Sequence, residues 1–126
     1  FENEDEIDYE RLDQAIEKSG LSSLIDNLED GLYTIIKDAG SNLSGGERQR
    51  IEIARALYKD NPIILIDEAT SALDLKMARD IEEIFGNLDK TLVSISHRRD
   101  IDYSKYYGKI IEIKDKKTEE LSENKI

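Results

Sequence analysis

The chain has 126 residues, no cysteine and a formal charge of −11, from 18 basic and 29 acidic residues. That length gives one domain or a large piece of one. The lack of cysteine excludes disulfide staples and thiolate metal sites and fits a reducing compartment, while the acidic balance opposes nonspecific nucleic-acid binding, which draws its affinity from phosphate neutralisation. No apolar run approaches the ~20 residues of a membrane span, and no signal peptide is visible. The first residue is Phe1 rather than Met, so the chain reads as a processed piece or a cloned fragment. The acidity is concentrated: residues 1–40 carry 12 acidic and 3 basic side chains. Glu2, Glu4, Asp5, Glu6 and Asp8 lack the glycine turn and ligand spacing of a calcium loop, so they read as solvated surface.

In chain order, residues 1–8 form an exposed acidic lead-in. Tyr9, Leu12, Ala15 and Ile16 recur at helical spacing, with Gly20 as the stop. A short helix follows over Ser22 to Leu28, with Leu21, Leu24, Ile25 and Leu28 on one face. Residues 29–43 have no sustained period and read as loop. Ser44 to Asp60 carries the strongest helix signal, because Ser44 and Glu47 form a capping box and Asn61-Pro62 end the helix. Its Ile53, Ala56 and Leu57 line one face, and Ile51, Ala54 and Tyr58 another. Ile63 to Ile66 is a continuous aliphatic run, as in a strand buried on both faces of a parallel sheet. Asp74 caps a helix to about Phe85, with Met77, Ile81, Ile84 and Phe85 inward and Gly86 as the stop. Thr91 to Ile95 is a second buried strand and Ile110 to Ile113 a third. Asp115-Lys116 can turn into a weak final strand within a polar, mobile tail. The order strand, helix, strand predicts a right-handed parallel crossover.

Three clusters carry possible chemistry. Ser44-Gly45-Gly46-Glu47 opens a helix, where unpaired N–H groups and the dipole suit a phosphate; equally, the two glycines can serve only a tight, capped helix start. Asp67-Glu68 follows a strand directly, where ligands of open parallel sheets gather. Asp67 could serve a Mg²⁺ ion and Glu68 could orient or deprotonate a water, or both could simply end the strand. Ser96-His97 ends the next strand in the same way, and His97, the sole histidine, could reach the same ligand or remain a partly exposed strand-end side chain.

Taken together, Ser44-Gly45-Gly46-Glu47-Arg48-Gln49-Arg50, Ile63-Ile64-Leu65-Ile66-Asp67-Glu68, Ser71-Ala72-Leu73-Asp74 and Ser96-His97-Arg98 resemble the nucleotide-binding domain of ATP-binding cassette (ABC) transporters. They look like that family's signature motif, Walker B strand, D-loop and switch histidine, in the family's order. The likeness is close from Thr34 to Arg98, looser over residues 1–33, and extends to late strands over 106–121. Thr34 to Gly40 resembles the acidic loop that exporters carry before the signature, with Lys37 and Asp38 where the family has Gly and Glu. Glu47 stands where Gln is commoner. No Gly-x-x-x-x-Gly-Lys-Ser/Thr occurs, so the phosphate-wrapping P-loop is absent from these 126 residues.

The resemblance implies an α/β fold: a partial P-loop-NTPase-like parallel sheet with flanking helices, preceded by part of a helical subdomain. Residues 1–43 would end that subdomain, 44–113 would hold the signature helix, Walker B and switch histidine, and 114–126 a polar tail or weak strand. It implies ATP and Mg²⁺ as cofactors of the complete domain, with Glu68 and His97 catalytic, Asp67 serving Mg²⁺, and Ser44, Gly45, Gly46, Glu47 and Asp74 at the nucleotide and the dimer seam. The implied partners are a second nucleotide-binding domain and the transmembrane domains of an exporter, with no nucleic acid. The parent would hydrolyse ATP at the cytoplasmic face of the cell membrane; the chain alone, soluble and without the P-loop, is not expected to be an enzyme. Strands aliphatic on both faces, separated from their neighbours, predict self-association. Two other readings are the C-terminal lobe of a chromosome-maintenance ATPase and a non-catalytic interaction module; against the first, no heptad coiled coil precedes the signature.

Overall fold

A computed structural model describes residues 6–33, 42–114 and 117–123. It contains helices α1 (Tyr9–Lys18), α2 (Ser22–Asp26) and α3 (Gly45–Tyr58), strand β1 (Ile63–Asp67), helix α4 (Leu75–Gly86), and strands β2 (Thr91–Ile95), β3 (Lys109–Lys114) and β4 (Lys117–Glu123). Single 3-10 turns lie at Gly31–Tyr33 and Tyr103–Lys105. The expected loop at Thr34 to Gly40, the first five residues and the turn at Asp115-Lys116 lie outside the described residues. The α/β class expected from the sequence is the one observed.

Local chemistry sets the helix ends. Asp8 caps α1 by accepting from the backbone N–H of Arg11. The chain leaves α1 through Gly20 at φ +71°, a conformation that glycine adopts without strain. A Cβ there would lie 2.1 Å from Arg50 Nη1, which donates to the Gly20 carbonyl and ties α1 to α3. The capping box of α3 is present: Ser44 Oγ accepts from Glu47 N at 3.2 Å, and Glu47 Oε2 accepts from Ser44 N at 2.7 Å. Beyond α3, Asp60 turns at φ +55°. Its carboxylate pairs with Lys90, which holds it below the usual carboxylate range.

Strands β1 and β2 pair in parallel, from Ile63 opposite Thr91 to Asp67 opposite Ile95. The core gathers Ala15, Ile53, Leu57, Ile66, Leu73, Ala78, Ile81, Phe85 and Ile101 beneath them. Here the structure corrects the expectation of strands buried on both faces. Ile66 is buried and Ile64 and Leu92 pack on the core, but Leu65 is 78% exposed, and Ile63, Val93 and Ile95 lie open on the same side. Side chains alternate across a strand, and the described helices cover one face only. The third strand is also corrected: β3 joins β4 in a separate antiparallel sheet, with a register shift between Ile110 and Ile111, and its Ile111 and Ile113 are exposed. The final strand expected after Asp115-Lys116 is β4, seven residues long.

Helix α4 begins as expected, with Asp74 accepting from Met77 N at 2.9 Å. It buries Ala78, Ile81 and Phe85, with Met77 and Ile84 partly covered. Its end differs. Gly86 is the last helical residue and Asn87 caps it in the right-handed region, so no left-handed glycine terminates the helix. A Cβ on Gly86 would lie 3.3 Å from Tyr106 Cα, so the glycine's small size serves the close approach of the Tyr106 segment.

Phe85, 4% exposed, sits at the centre of this packing. Phe85→Ala should cost about 3–5 kcal/mol of stability through transfer and cavity terms. Glu83→Ala, an exposed change on the same turn, should stay within about 0.5 kcal/mol. Urea midpoints of the two variants check this; equal midpoints would mean that α4 does not nucleate the core.

Candidate functional site

The parallel register brings the ends of β1 and β2 level, so Asp67-Glu68 and Ser96-His97 emerge together. His97 Nε2 lies 3.2 Å from Glu68 Oε1. The contact has ion-pair distance without hydrogen-bond alignment, and Glu68 Oε1 is shielded from solvent yet accepts no hydrogen bond. His97 itself is largely exposed. Glu68 stands at φ +53°, an unfavourable conformation for a residue with a Cβ. It is held there by its backbone: its N–H donates to the Ile95 carbonyl, and its carbonyl accepts from both the N–H and the hydroxyl of Ser71. Strain of this kind, kept by over-determined surroundings, is common at functional sites.

Asp67 ends β1 with an exposed side chain. Among the described residues no group of three metal-ligating side chains converges. Asp67 therefore offers one exposed carboxylate, which can serve a hard cation only together with oxygens from outside the described residues.

The signature segment lies apart from these acids. The hydrogen bonds of Ser44 run to Glu47 and Arg48 of its own helix. A Cβ on Gly45 would meet Leu73 Cδ2 at 3.0 Å, and one on Gly46 would meet Met77 Sδ at 3.2 Å. Both glycines therefore have a packing reason to be small, in addition to any approach of a ligand. Because Leu73 and Met77 flank Asp74, the start of α3 rests directly on the D-loop-like segment. Asp74 is engaged as the α4 cap.

Arg98 joins the pieces, and the sequence reading assigned it no role. Its Nη1 donates to the carbonyls of Thr70 at 2.7 Å and Leu73 at 2.6 Å. Its Nε and Nη2 grip both oxygens of Asp100, a bidentate pair that holds Asp100 below the usual carboxylate range. An arginine two residues before an aspartate, directly after a strand-end histidine, was the available signal. Glu82 was missed as well. It is 2% exposed, with Oε1 accepting from Thr70 Oγ1 at 3.2 Å and Oε2 from the Tyr107 hydroxyl at 2.7 Å. The signal was an acid within the apolar stripe Ala78, Ile81, Phe85.

A family model described as ABC transporter matches residues 1–71, more than half of the chain. The chain belongs to the ABC transporter family. An ATP-dependent lipid A-core flippase of Ralstonia nicotianae is 50% identical to this ABC chain over 95 residues, covering 74% of it and 16% of the relative. One from Vibrio cholerae is 43% identical over 97 residues, covering 75% and 17%. A solved bacterial Atm1-family ABC exporter with ATP bound matches with a TM-score of 0.62 and 38% identity, over 75% of this chain and 17% of that one. The chain thus spans about a sixth of the length of these proteins, as part of a nucleotide-binding domain. No helix among the described residues is long and apolar enough to cross a membrane.

Burial pushes the Glu82 carboxyl above its ordinary range, against the opposing pull of the Tyr107 and Thr70 hydroxyls and the Arg98 charge. The Tyr107 phenol is likewise pushed up by burial. A carboxyl with a raised folded-state pKa holds its proton more tightly in the native chain than in the unfolded one. Its contribution is therefore complete below the ordinary glutamate range and is lost as pH rises through the raised folded value. Glu82→Gln removes that titration. As pH rises above the ordinary glutamate range, wild-type stability should fall relative to Glu82→Gln. Urea midpoints of both proteins across that rise test this; parallel curves would show that Glu82 pays no burial penalty.

Proposed function

We propose that this chain is the hydrolytic portion of the ATP-binding subunit of an ABC exporter, which uses ATP to drive transport across a membrane. The observation that carries the reading is the strand-end pair: Glu68 with a shielded, unpartnered Oε1, 3.2 Å from His97 Nε2. In this role Glu68 accepts the proton of, or orients, the water that attacks the terminal phosphate. His97 donates toward that phosphate from the adjoining strand end. Asp67 offers a carboxylate oxygen to Mg²⁺, which when bound neutralises developing phosphate charge. The start of α3 at Ser44, Gly45 and Gly46 presents N–H groups to the phosphate held by a second nucleotide-binding domain. Its capping bond uses Ser44 Oγ as acceptor and leaves the hydroxyl proton free to donate. Glu47 lies against the same nucleotide, and Asp74 lines the seam between the two domains.

The names of the relatives support a lipid-like cargo, and a membrane partner formed by transmembrane domains at the cytoplasmic face. Glu68→Gln in the complete transporter should slow single-turnover hydrolysis by roughly 10²–10⁴-fold while ATP still binds, the usual worth of a general base. Unchanged hydrolysis would move the role to another residue, with His97 first.

The isolated chain should self-associate through the bare sheet face. Ile63, Leu65, Val93 and Ile95 form one contiguous apolar surface at the two-stranded parallel sheet, and β1 and β2 each keep an unpaired edge among the described residues. A charge of −11 opposes random aggregation but satisfies no strand edge. Light scattering at tens of micromolar should give an oligomer that Leu65→Lys dissociates. A monodisperse wild-type monomer would show that this face stands open in solution.

A further inference from the structure

The buried polar network on the inner side of α4 has a purpose that packing does not supply. A carboxylate among Ala78, Ile81 and Phe85 is costly to desolvate, and an apolar side chain would fill the same space more cheaply. Glu82 is nonetheless fully satisfied, one oxygen by Thr70 and the other by Tyr107. Thr70 is itself 2% exposed and lies two residues beyond Glu68. Its hydroxyl donates to Glu82 and also has Tyr103 as a neighbour, and its carbonyl accepts from Arg98 and from Leu73 N. The residues that follow it, Ser71 and Ala72, are exposed.

The Glu68 side chain has one polar neighbour, His97, without an aligned hydrogen bond to it. Its Oε1 accepts no hydrogen bond, and its backbone stands in the left-handed region. Beside that contact, its carboxylate is carried by the turn from Asp67 to Ser71, whose backbone bonds hold Glu68 in place. Thr70 is the one buried residue of that turn, and Glu82 is the side chain that holds it from the rigid helix.

We propose that Glu82 is a positioning residue for ATP hydrolysis: by fixing Thr70 from α4, it aims Glu68 at the attacking water. The proposal rests on Glu68 being the hydrolytic carboxylate. It also implies that the Tyr107 segment, which lies 25 residues beyond Glu82 in the chain, is tied to the same turn.

The test uses the complete transporter, with Glu82→Leu, Glu82→Gln, Thr70→Val and the double variant Glu82→Leu/Thr70→Val. Loss of a buried hydrogen bond to a charged group should lower kcat per ATP-binding site by roughly ten-fold in Glu82→Leu, with KM for ATP unchanged. Glu82→Gln keeps an amide oxygen to accept from Thr70 and should restore most of the rate. Thr70→Val should match Glu82→Leu, and the double variant should lose no more than either single one. An unchanged kcat in Glu82→Leu, a loss confined to KM, or multiplied losses in the double variant would overturn the proposal. A parallel Glu68→Gln transporter separates the two claims. If it hydrolyses ATP normally, the Glu68 reading fails. The positioning claim is then judged by amide hydrogen exchange on the 126-residue chain. Faster exchange over residues 67–74 in Glu82→Leu but not in Glu82→Gln, with α3 unaltered, supports it; unaltered exchange there rejects it.

Discussion

The parallel pairing of β1 with β2 is the constraint on which the site depends. With Asp67 opposite Ile95, the residues after each strand leave the sheet at one level. A shift of one residue would turn every side chain to the other face, moving Ile64 and Ile66 off the core and Leu65 onto it. Register is therefore fixed by burial, and burial in turn fixes which acid follows the strand and where the histidine meets it. The bond from Glu68 N to the Ile95 carbonyl carries the ladder one step past the strand. It is the last regular interaction before the chain turns left-handed at Glu68.

Beyond the sheet the structure is held by polar contacts of short reach. Arg98 draws the carbonyls of Thr70 and Leu73 toward the strand end, and Leu73 lies under Gly45 at the start of α3. The signature-like helix start, the D-loop-like turn and the histidine strand are thus linked through one guanidinium and one leucine. The planar fork of arginine meets Asp100 with two bonds while its remaining nitrogen bridges two carbonyls, a task that a lysine ammonium, as a compact point charge, matches poorly.

Elements specified by local chemistry were legible in the sequence. The capping box at Ser44 and Glu47, the cap at Asp74 and the aliphatic run at Ile63 to Ile66 each produced the element expected. Exposure was not legible, because an aliphatic run shows that a strand can be buried on both faces without showing what covers it. Strand β4 carries little apolar signal of its own, since most of its residues are polar and it forms by backbone pairing with the adjacent β3. At the site, the clusters at Ser44 to Glu47, Asp67-Glu68 and Ser96-His97 stood out, since each follows a strand or opens a helix, and Asp74 stood out only as a helix cap. Arg98 and Glu82 did not, since their roles depend on contacts with Thr70, which lies 28 and 12 residues away. Glu82 was still hinted at, as an acid where the period of α4 called for an apolar residue.

The electrostatics of the site define what a triphosphate would meet here. Asp67, Glu68 and Asp74 bring three carboxylates to the strand-end region, and Asp100 adds a fourth nearby. Arg98 is engaged by Asp100 and two carbonyls, with its side chain 13% exposed. It steadies the loop and has little surface left for a phosphate. Most of these carboxylates stand in solvent, where the repulsion of an anion is weakened by water and salt but keeps its sign, so an anion would approach them more readily with positive charge between. The pairing of β1 with β2 and the bonds of Arg98 thus hold the Asp67-Glu68 turn and His97 at one sheet end, whatever they meet there.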